Sequence, residues 1–196
     1  MQIKIKTKEQ LEAFLEADRK AMGFDKRNML FEYIKGNTDD VLLMHYVKQL
    51  RKFEYASNNR ESFWDKCRYL WKKHCFRRLC RRYGIYIDAN IFGPGLHVVH
   101  FGYVWVDGSA VIGSNCTILP RVLLGKKKPG VPPPNIFIGD NCYIGTGSTI
   151  LGPVNIGNNV TIAAGSVVVK DVPDNCIVGG SPAKILKYKN ENTLIN

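Results

Sequence analysis

Between Val104 and Val169 an aliphatic residue returns at every sixth position, and this period narrows the fold more than any other feature of the chain. Val106, Ile112, Ile118 and Leu124 fall in one register, and Ile138, Ile144, Ile150, Ile156, Ile162 and Val168 fall in a second. Glycine follows directly in Ile112-Gly113, Leu124-Gly125, Ile138-Gly139, Ile144-Gly145 and Ile156-Gly157. A helix repeats every ~3.6 residues and a strand about every two, so neither produces this spacing. A fixed short repeat predicts a parallel β-helix. Each hexapeptide is then a short flat strand and a turn, with its aliphatic side chain in a narrow interior and glycine or asparagine in the turn. No coil buries its apolar face alone, so the coils must stack.

Fourteen steps separate Leu124 from Ile138, two more than twice six, so Gly125–Phe137 interrupts the repeat and loops out. Pro129, Pro132, Pro133 and Pro134 make this insertion stiff and non-helical. A loop thrown from a regular solenoid reads as a binding feature.

The leading segment has a different pattern. Thr7 and Gln10 form a capping box for a helix over 7–21, with Leu11, Phe14 and Leu15 as its apolar stripe. Residues 28–34 read as a short buried piece. A helix opening at Asn37–Asp40 turns Val41, Leu42, Tyr46 and Leu50 inward. A last helix over 60–82 has Trp64, Cys67, Leu70, Trp71, Phe76 and Leu79 as its apolar side. Lys66, Lys72, Lys73, Arg77, Arg78, Arg81 and Arg82 form its other side, and Gly84 ends it. The expected organisation is a helical segment over 1–84, a repeat domain over 85–187 and a polar tail over 188–196.

The net charge is +11, and residues 1–84 carry 20 Lys/Arg against 11 Asp/Glu. Such a surface can meet nucleic acid, anionic lipid or phosphorylated ligands. No groove-entering motif is present, so nucleic acid is not an expected partner. For the basic helix two readings stay open: a solvated face, or peripheral contact with an anionic membrane. No apolar run is long enough to span a bilayer, and the N-terminus lacks the apolar core of a secretory signal. Six cysteines without CxxC spacing read as reduced thiols of a cytoplasmic protein with no metal site.

Several segments resemble the hexapeptide-repeat acyltransferases, in particular the serine acetyltransferase branch. Gly93-Pro94-Gly95-Leu96, followed by His100 and Gly102, is similar to that branch's Gly-Pro-Gly-Leu…His…Gly. Ile144-Gly145-Thr146-Gly147 with Ile150-Leu151-Gly152 resembles its Ile-Gly-Ala-Gly…Ile-Leu-Gly. Ala163–Val168, Asp171-Val172-Pro173 and Gly180–Lys184 resemble its closing segment. The likeness covers about residues 84–187. It implies a mainly β chain built as a left-handed parallel β-helix with an N-terminal α-helical segment. Handedness is inherited from the likeness, because most crossovers between parallel strands are right-handed.

The resemblance also implies a homotrimer, with a dimer of trimers open, that binds acetyl-CoA as co-substrate between subunits. It implies direct acetyl transfer to a hydroxyl with His100 as general base, a role that suits imidazole near neutral pH. Tyr86 falls where the family carries an acid. Asp88, two residues on, either orients His100 or faces water. Thr146 and Ala164 fall at positions whose backbone meets the pantetheine arm. Lys184, and Lys126 with Lys127 and Lys128, either face the phosphates of CoA or are solvated. His97 is accessory or structural. The serine enzymes carry a second histidine in the looped-out region, where Pro133 stands here. That departure favours a saccharide acceptor, with Phe101, Tyr103 and Trp105 as an aromatic wall if they share one strand face. Serine O-acetylation is the alternative, and a non-catalytic β-helix scaffold is the rival from another class. A metal-dependent β-helix hydrolase needs more histidines than His97 and His100.

Overall fold

The computed structural model describes residues 4–24, 28–128 and 136–189. Within them, four helices come first: α1 (Lys8–Ala21), α2 (Met29–Ile34), α3 (Thr38–Asn58) and α4 (Phe63–Tyr83). Fourteen strands follow, arranged in five successive coils. The first coil holds β1 (Ile85–Tyr86) and β2 (His97–Val98), and the second β3 (Val104–Val106), β4 (Val111–Ile112) and β5 (Thr117–Ile118). The third holds β6 (Leu123–Lys126), β7 (Ile136–Ile138) and β8 (Tyr143–Ile144), and the fourth β9 (Thr149–Gly152), β10 (Val154–Ile156) and β11 (Thr161–Ile162). The fifth holds β12 (Val167–Val168) and β13 (Cys176–Gly180), on which β14 (Ala183–Tyr188) folds back antiparallel.

Strands stack by face, all in parallel apart from β14. The first face runs β1-β3-β6-β9-β12 and the second β4-β7-β10, extended by single bridges at Phe92 and Val172. The third runs β2-β5-β8-β11-β13. The ten aliphatic residues of the two registers all point inward, none more than 4% exposed. In the third face Val98, Ile118, Ile144, Ile162 and Val178 lie in one column. Asn115, Asn141, Asn159 and Asn175 turn the chain from the second face to the third with φ of 54–57°. Asparagine tolerates this left-handed geometry, and its amide can bond the copy above. Asn159 Nδ2 donates to Asn175 Oδ1 at 2.8 Å in that way.

The helices close the lower end of the stack. β1 and β2 pair only upward, with β3 and β5, so the first coil's downward backbone groups need other partners. Charged side chains supply them. Arg51, fully buried on α3, donates to the carbonyls of Phe92 (2.9 Å) and Gly93 (2.7 Å). Asp18 holds Arg51 through two bonds of 2.8 and 3.0 Å and accepts the backbone N–H of Gly95 (2.9 Å) and Leu96 (2.8 Å). Glu54 accepts from Arg51 at 3.0 Å and from the Asn90 N–H at 2.9 Å. Burial pushes the Glu54 carboxyl up, against the pull of Arg51. The Gly-Pro-Gly-Leu segment is thus seated on a buried Asp–Arg–Glu cluster.

The capping box of α1 forms between Thr7 and Gln10, and Gly84 ends α4 at φ 71°. Two expectations fail in part. Residues 29–34 are helical and mostly exposed: Leu30, Phe31, Tyr33 and Ile34 are each more than half exposed, while Met29 packs on the core and Glu32 is buried. Of the expected inner side of the last helix, Phe76 and Leu79 do turn inward, but the first half faces outward, with Trp64 78%, Trp71 66% and Leu70 61% exposed. Ring packing on α3 selects another stripe. Phe53 stacks on Tyr69 (6.1 Å) and Phe76 (5.3 Å), and Tyr46 packs on Phe76 (5.3 Å) and Tyr83 (6.3 Å). That rotation buries Phe76 and Cys80 and leaves the tryptophans outside. At the other end of the chain, Tyr188 belongs to β14 and the Lys189 N–H donates to the Asn175 carbonyl at 2.7 Å. The rest of the expected tail, and the four prolines of the insertion, lie outside the described residues.

Candidate active site

The edge where the third face turns into the first gathers most of the candidate residues. In the upper coils this corner is short, four steps along the chain from Ile118 to Val122, from Ile144 to Ser148 and from Ile162 to Ser166. In the first coil it takes six, from Val98 to Val104. His100 stands on this enlarged corner, exposed and held at φ 57°. The corner closes against Pro120: a Cβ on Gly102 (φ 153°) would lie 2.7 Å from Pro120 Cβ, so only glycine fits.

Above His100 the same edge continues through Pro120-Arg121, Thr146-Gly147 and Ala164-Gly165. Backbone bonds tie the steps together: Arg121 N–H to the Tyr103 carbonyl (2.6 Å), Gly147 N–H to that of Pro120 (3.0 Å) and Gly165 N–H to that of Thr146 (2.8 Å). Thr146 Oγ1 also donates to the Pro120 carbonyl at 2.8 Å. Thr146 and Ala164 are exposed, two and three coils above His100. At a strand spacing of ~4.8 Å they lie about 10 and 14 Å along the edge. Ser148 and Ser166, buried behind this edge, both bond the Ala163 carbonyl and brace it from inside. At the top, Lys184 on β14 pairs with Gly179 and is exposed. His100, Thr146, Ala164 and Lys184 therefore share one edge.

Asp88 and Lys126 do not join them. Asp88 follows β1 at the corner between the first and second faces, beside Gly108 of the next coil, and its Oδ1 lies 3.3 Å from Arg77 Nη2. His100 is at a different corner, so the expected Asp88–His100 pairing is corrected to an Asp88–Arg77 pairing. The cause is that β1 ends at Tyr86 and Asp88 already belongs to the turn. Lys126 ends β6 opposite Gly152, across the first face from the His100 edge. Lys127 Nζ donates to the Val169 carbonyl at 2.7 Å.

The expected aromatic wall divides as well. Phe101 lies in the corner rather than on a strand and packs on Tyr83 at 4.9 Å. Tyr103 and Trp105 gather on Tyr86 at 6.3 and 5.4 Å, an outward cluster on the first face with Tyr103 51% and Trp105 44% exposed. His97 faces outward from β2, half-buried; burial holds its pKa below the ordinary value, opposed by Asp40. Sequence reasoning passed over Arg121, an exposed guanidinium at φ 63° on the edge between His100 and Thr146. Its signal was an arginine at a place where glycine stands in the coils above.

Three parallel faces with a residue of period six turned inward define a hexapeptide-repeat protein. Residues 135–170 match the family described as bacterial transferase hexapeptide (six repeats). Serine acetyltransferase 4 of Arabidopsis thaliana is 38% identical over 131 residues, covering 65% of this chain and 36% of that protein. The crystal structure of Neisseria gonorrhoeae serine acetyltransferase in complex with serine is 30% identical, with 92% of this chain and 70% of that one covered at a TM-score of 0.63. Serine acetyltransferase from Brucella abortus in complex with coenzyme A gives 27% identity, 93% and 70% coverage and a TM-score of 0.70. The chain belongs to the hexapeptide-repeat acyltransferase family, in its serine acetyltransferase-like branch. It spans little more than a third of the plant relative's length.

Proposed function

We propose that this chain is an acetyl-CoA-dependent O-acetyltransferase in which His100 is the general base. The observation that carries the reading is the shared edge: an exposed imidazole at the foot, exposed Thr146 and Ala164 above it, and Lys184 at the top. An extended thioester laid along it has its acyl end near His100 and its anionic end near Lys184. His100 takes the acceptor's hydroxyl proton as that oxygen attacks the thioester carbonyl carbon. The tetrahedral adduct collapses, the C–S bond breaks, and the imidazolium returns the proton to the departing thiolate. Arg121 brings positive charge to the edge between the two ends.

Serine is the acceptor that kinship supports, ahead of the saccharide expected from the sequence. A saccharide is retained as the second reading on one observation, the outward cluster of exposed Tyr103 and Trp105 on half-buried Tyr86, of which Tyr103 stands three residues after His100. The coils wind left-handed in this reading, the chain divides near Gly84, and three copies pack their stacks so that each edge is closed by a neighbour. The free cysteines, three of them inside the stack at Cys116, Cys142 and Cys176, suit the cytoplasm. The test is thiol release from acetyl-CoA with serine, free sugars, nucleotide sugars and oligosaccharides at equal concentration. Turnover with serine alone supports the first acceptor and turnover with a sugar alone the second. No turnover with any of them favours the scaffold.

A further inference from the structure

We propose that the outward face of α4 docks on the surface of an anionic lipid bilayer. The helix carries eight Lys/Arg and one acid, Asp65. Asp65 is committed to the capping box with Ser62 and to Arg68 at 2.6 Å. Opposite the buried Phe76–Cys80 stripe, helical spacing lines up Phe63, Trp64, Cys67, Leu70 and Trp71, then His74, Arg78, Arg81 and Arg82. All of these are exposed. Over ~31 Å of helix, the first half of the face is therefore aromatic and aliphatic and the second half cationic. Lys66, Arg78, Arg81 and Arg82 form no ion pair among the described residues.

The composition selects the partner. Two large indoles at the surface expose apolar area that water disfavours, yet each carries an N–H that prefers a polar boundary. Long cationic side chains reach headgroups while their stems lie along apolar surface. A second copy of this chain fits less well: with the helices parallel, this face on itself brings Arg78, Arg81 and Arg82 against like charge, and with them antiparallel those cations meet apolar side chains and no acid. A neutral apolar groove would leave those cations unmatched. No helix among the described residues is long and apolar enough to cross a membrane, so the contact is peripheral. Through Tyr83, the same helix ends against Phe101, the neighbour of His100, so docking would hold the candidate active edge close to the bilayer. The inference is independent of the acetyl-transfer reading.

The experiment is co-sedimentation of the full chain with vesicles of phosphatidylcholine alone and with about one quarter phosphatidylglycerol, at ~0.1 M salt where screening acts over about 10 Å. Binding is expected only to the anionic vesicles and weakens as salt rises. Each cation near an anionic leaflet contributes roughly fivefold to partitioning, so Arg78→Gln with Arg81→Gln is expected to bind about 25-fold more weakly. Trp64→Ser with Trp71→Ser is expected to abolish the salt-resistant fraction. These side chains are exposed, and unchanged circular dichroism and melting confirm folded variants. Absence of binding to anionic vesicles, equal binding to neutral ones, or full binding by either variant overturns the proposal. So does sedimentation velocity showing that Trp64→Ser with Trp71→Ser splits a larger assembly, which would make the face a contact between copies.

Discussion

Arg51 and Ile144 are both fully buried, one beneath the first coil and the other in the middle of the stack. Ile144 sits where each strand has a neighbour above and below. The ladder satisfies the backbone there, and the interior needs only methyl groups of the right size. Arg51 sits where the ladder stops. Five backbone groups between Asn90 and Leu96 find Asp18, Arg51 and Glu54 in place of a missing coil. The two regions therefore bury opposite chemistries for one reason: a buried amide or carbonyl must be bonded, and where the ladder ends a buried cluster of charged side chains takes its place.

The sharpest way to break this contrast is to empty the cluster. Arg51→Met leaves Asp18 and Glu54 as unpaired buried acids and is expected to cost about 3–5 kcal/mol in denaturant unfolding. An ordinary buried ion pair can be replaced by apolar residues without net loss. Here Asp18→Leu, Arg51→Met and Glu54→Leu together should not recover stability, because the coil's backbone groups stay unbonded. Recovery would show that the cluster balances only its own charges. Ile144→Ala, in the stack, is expected to cost roughly 2–5 kcal/mol through a cavity that the coils cannot collapse around. Trp71→Ser should change stability by no more than about 0.5 kcal/mol, since its ring is outside the core.

The smallest expected effect is a pH dependence at the join between the regions. His97 faces outward from β2, where Asp40 of α3 also acts on it, and burial lowers its pKa from the ordinary 6.5. As pH falls through 6.5, the unfolded chain takes up this proton before the folded one does. The contribution is therefore present above that value and lost below it. Unfolding midpoints at about pH 7.5 and 5.5 should fall further for the wild type than for His97→Gln. An equal fall for both removes His97 as the source.

The sequence reveals the two regions unequally. In the stack, geometry repeats, so the period-six residues are also the buried ones, and Ile112, Ile138 and Ile156 could be assigned to an interior from spacing alone. In the helices, periodicity states which residues share a face but not which face is turned inward. Trp64, Trp71 and Phe76 are all large and apolar, and the rings of Phe53 and Tyr46 choose among them. Asp18 and Arg51 are 33 positions apart and carry no local sign of their pairing. The alignment of Thr146 with Ala164 on one edge follows from the repeat, since they stand two residues after Ile144 and Ile162, which pair with each other. At Asp88 the sequence left two readings open, because the end of β1 at Tyr86, which puts Asp88 in the turn beside Arg77, has no sign in the residues themselves. The two-residue enlargement of the His100 corner shows only once the strand registers fix its neighbours.

The proposal that this edge transfers acetyl groups is tested most directly by His100→Ala, with the initial rate of thiol release and the affinity for CoA measured on the same folded preparation. The account predicts a rate lower by roughly 100- to 10,000-fold, the usual contribution of a general base, with CoA affinity unchanged because Thr146, Ala164 and Lys184 remain in place. A variant that keeps more than about a tenth of the wild-type rate would contradict the assignment of His100 as the base.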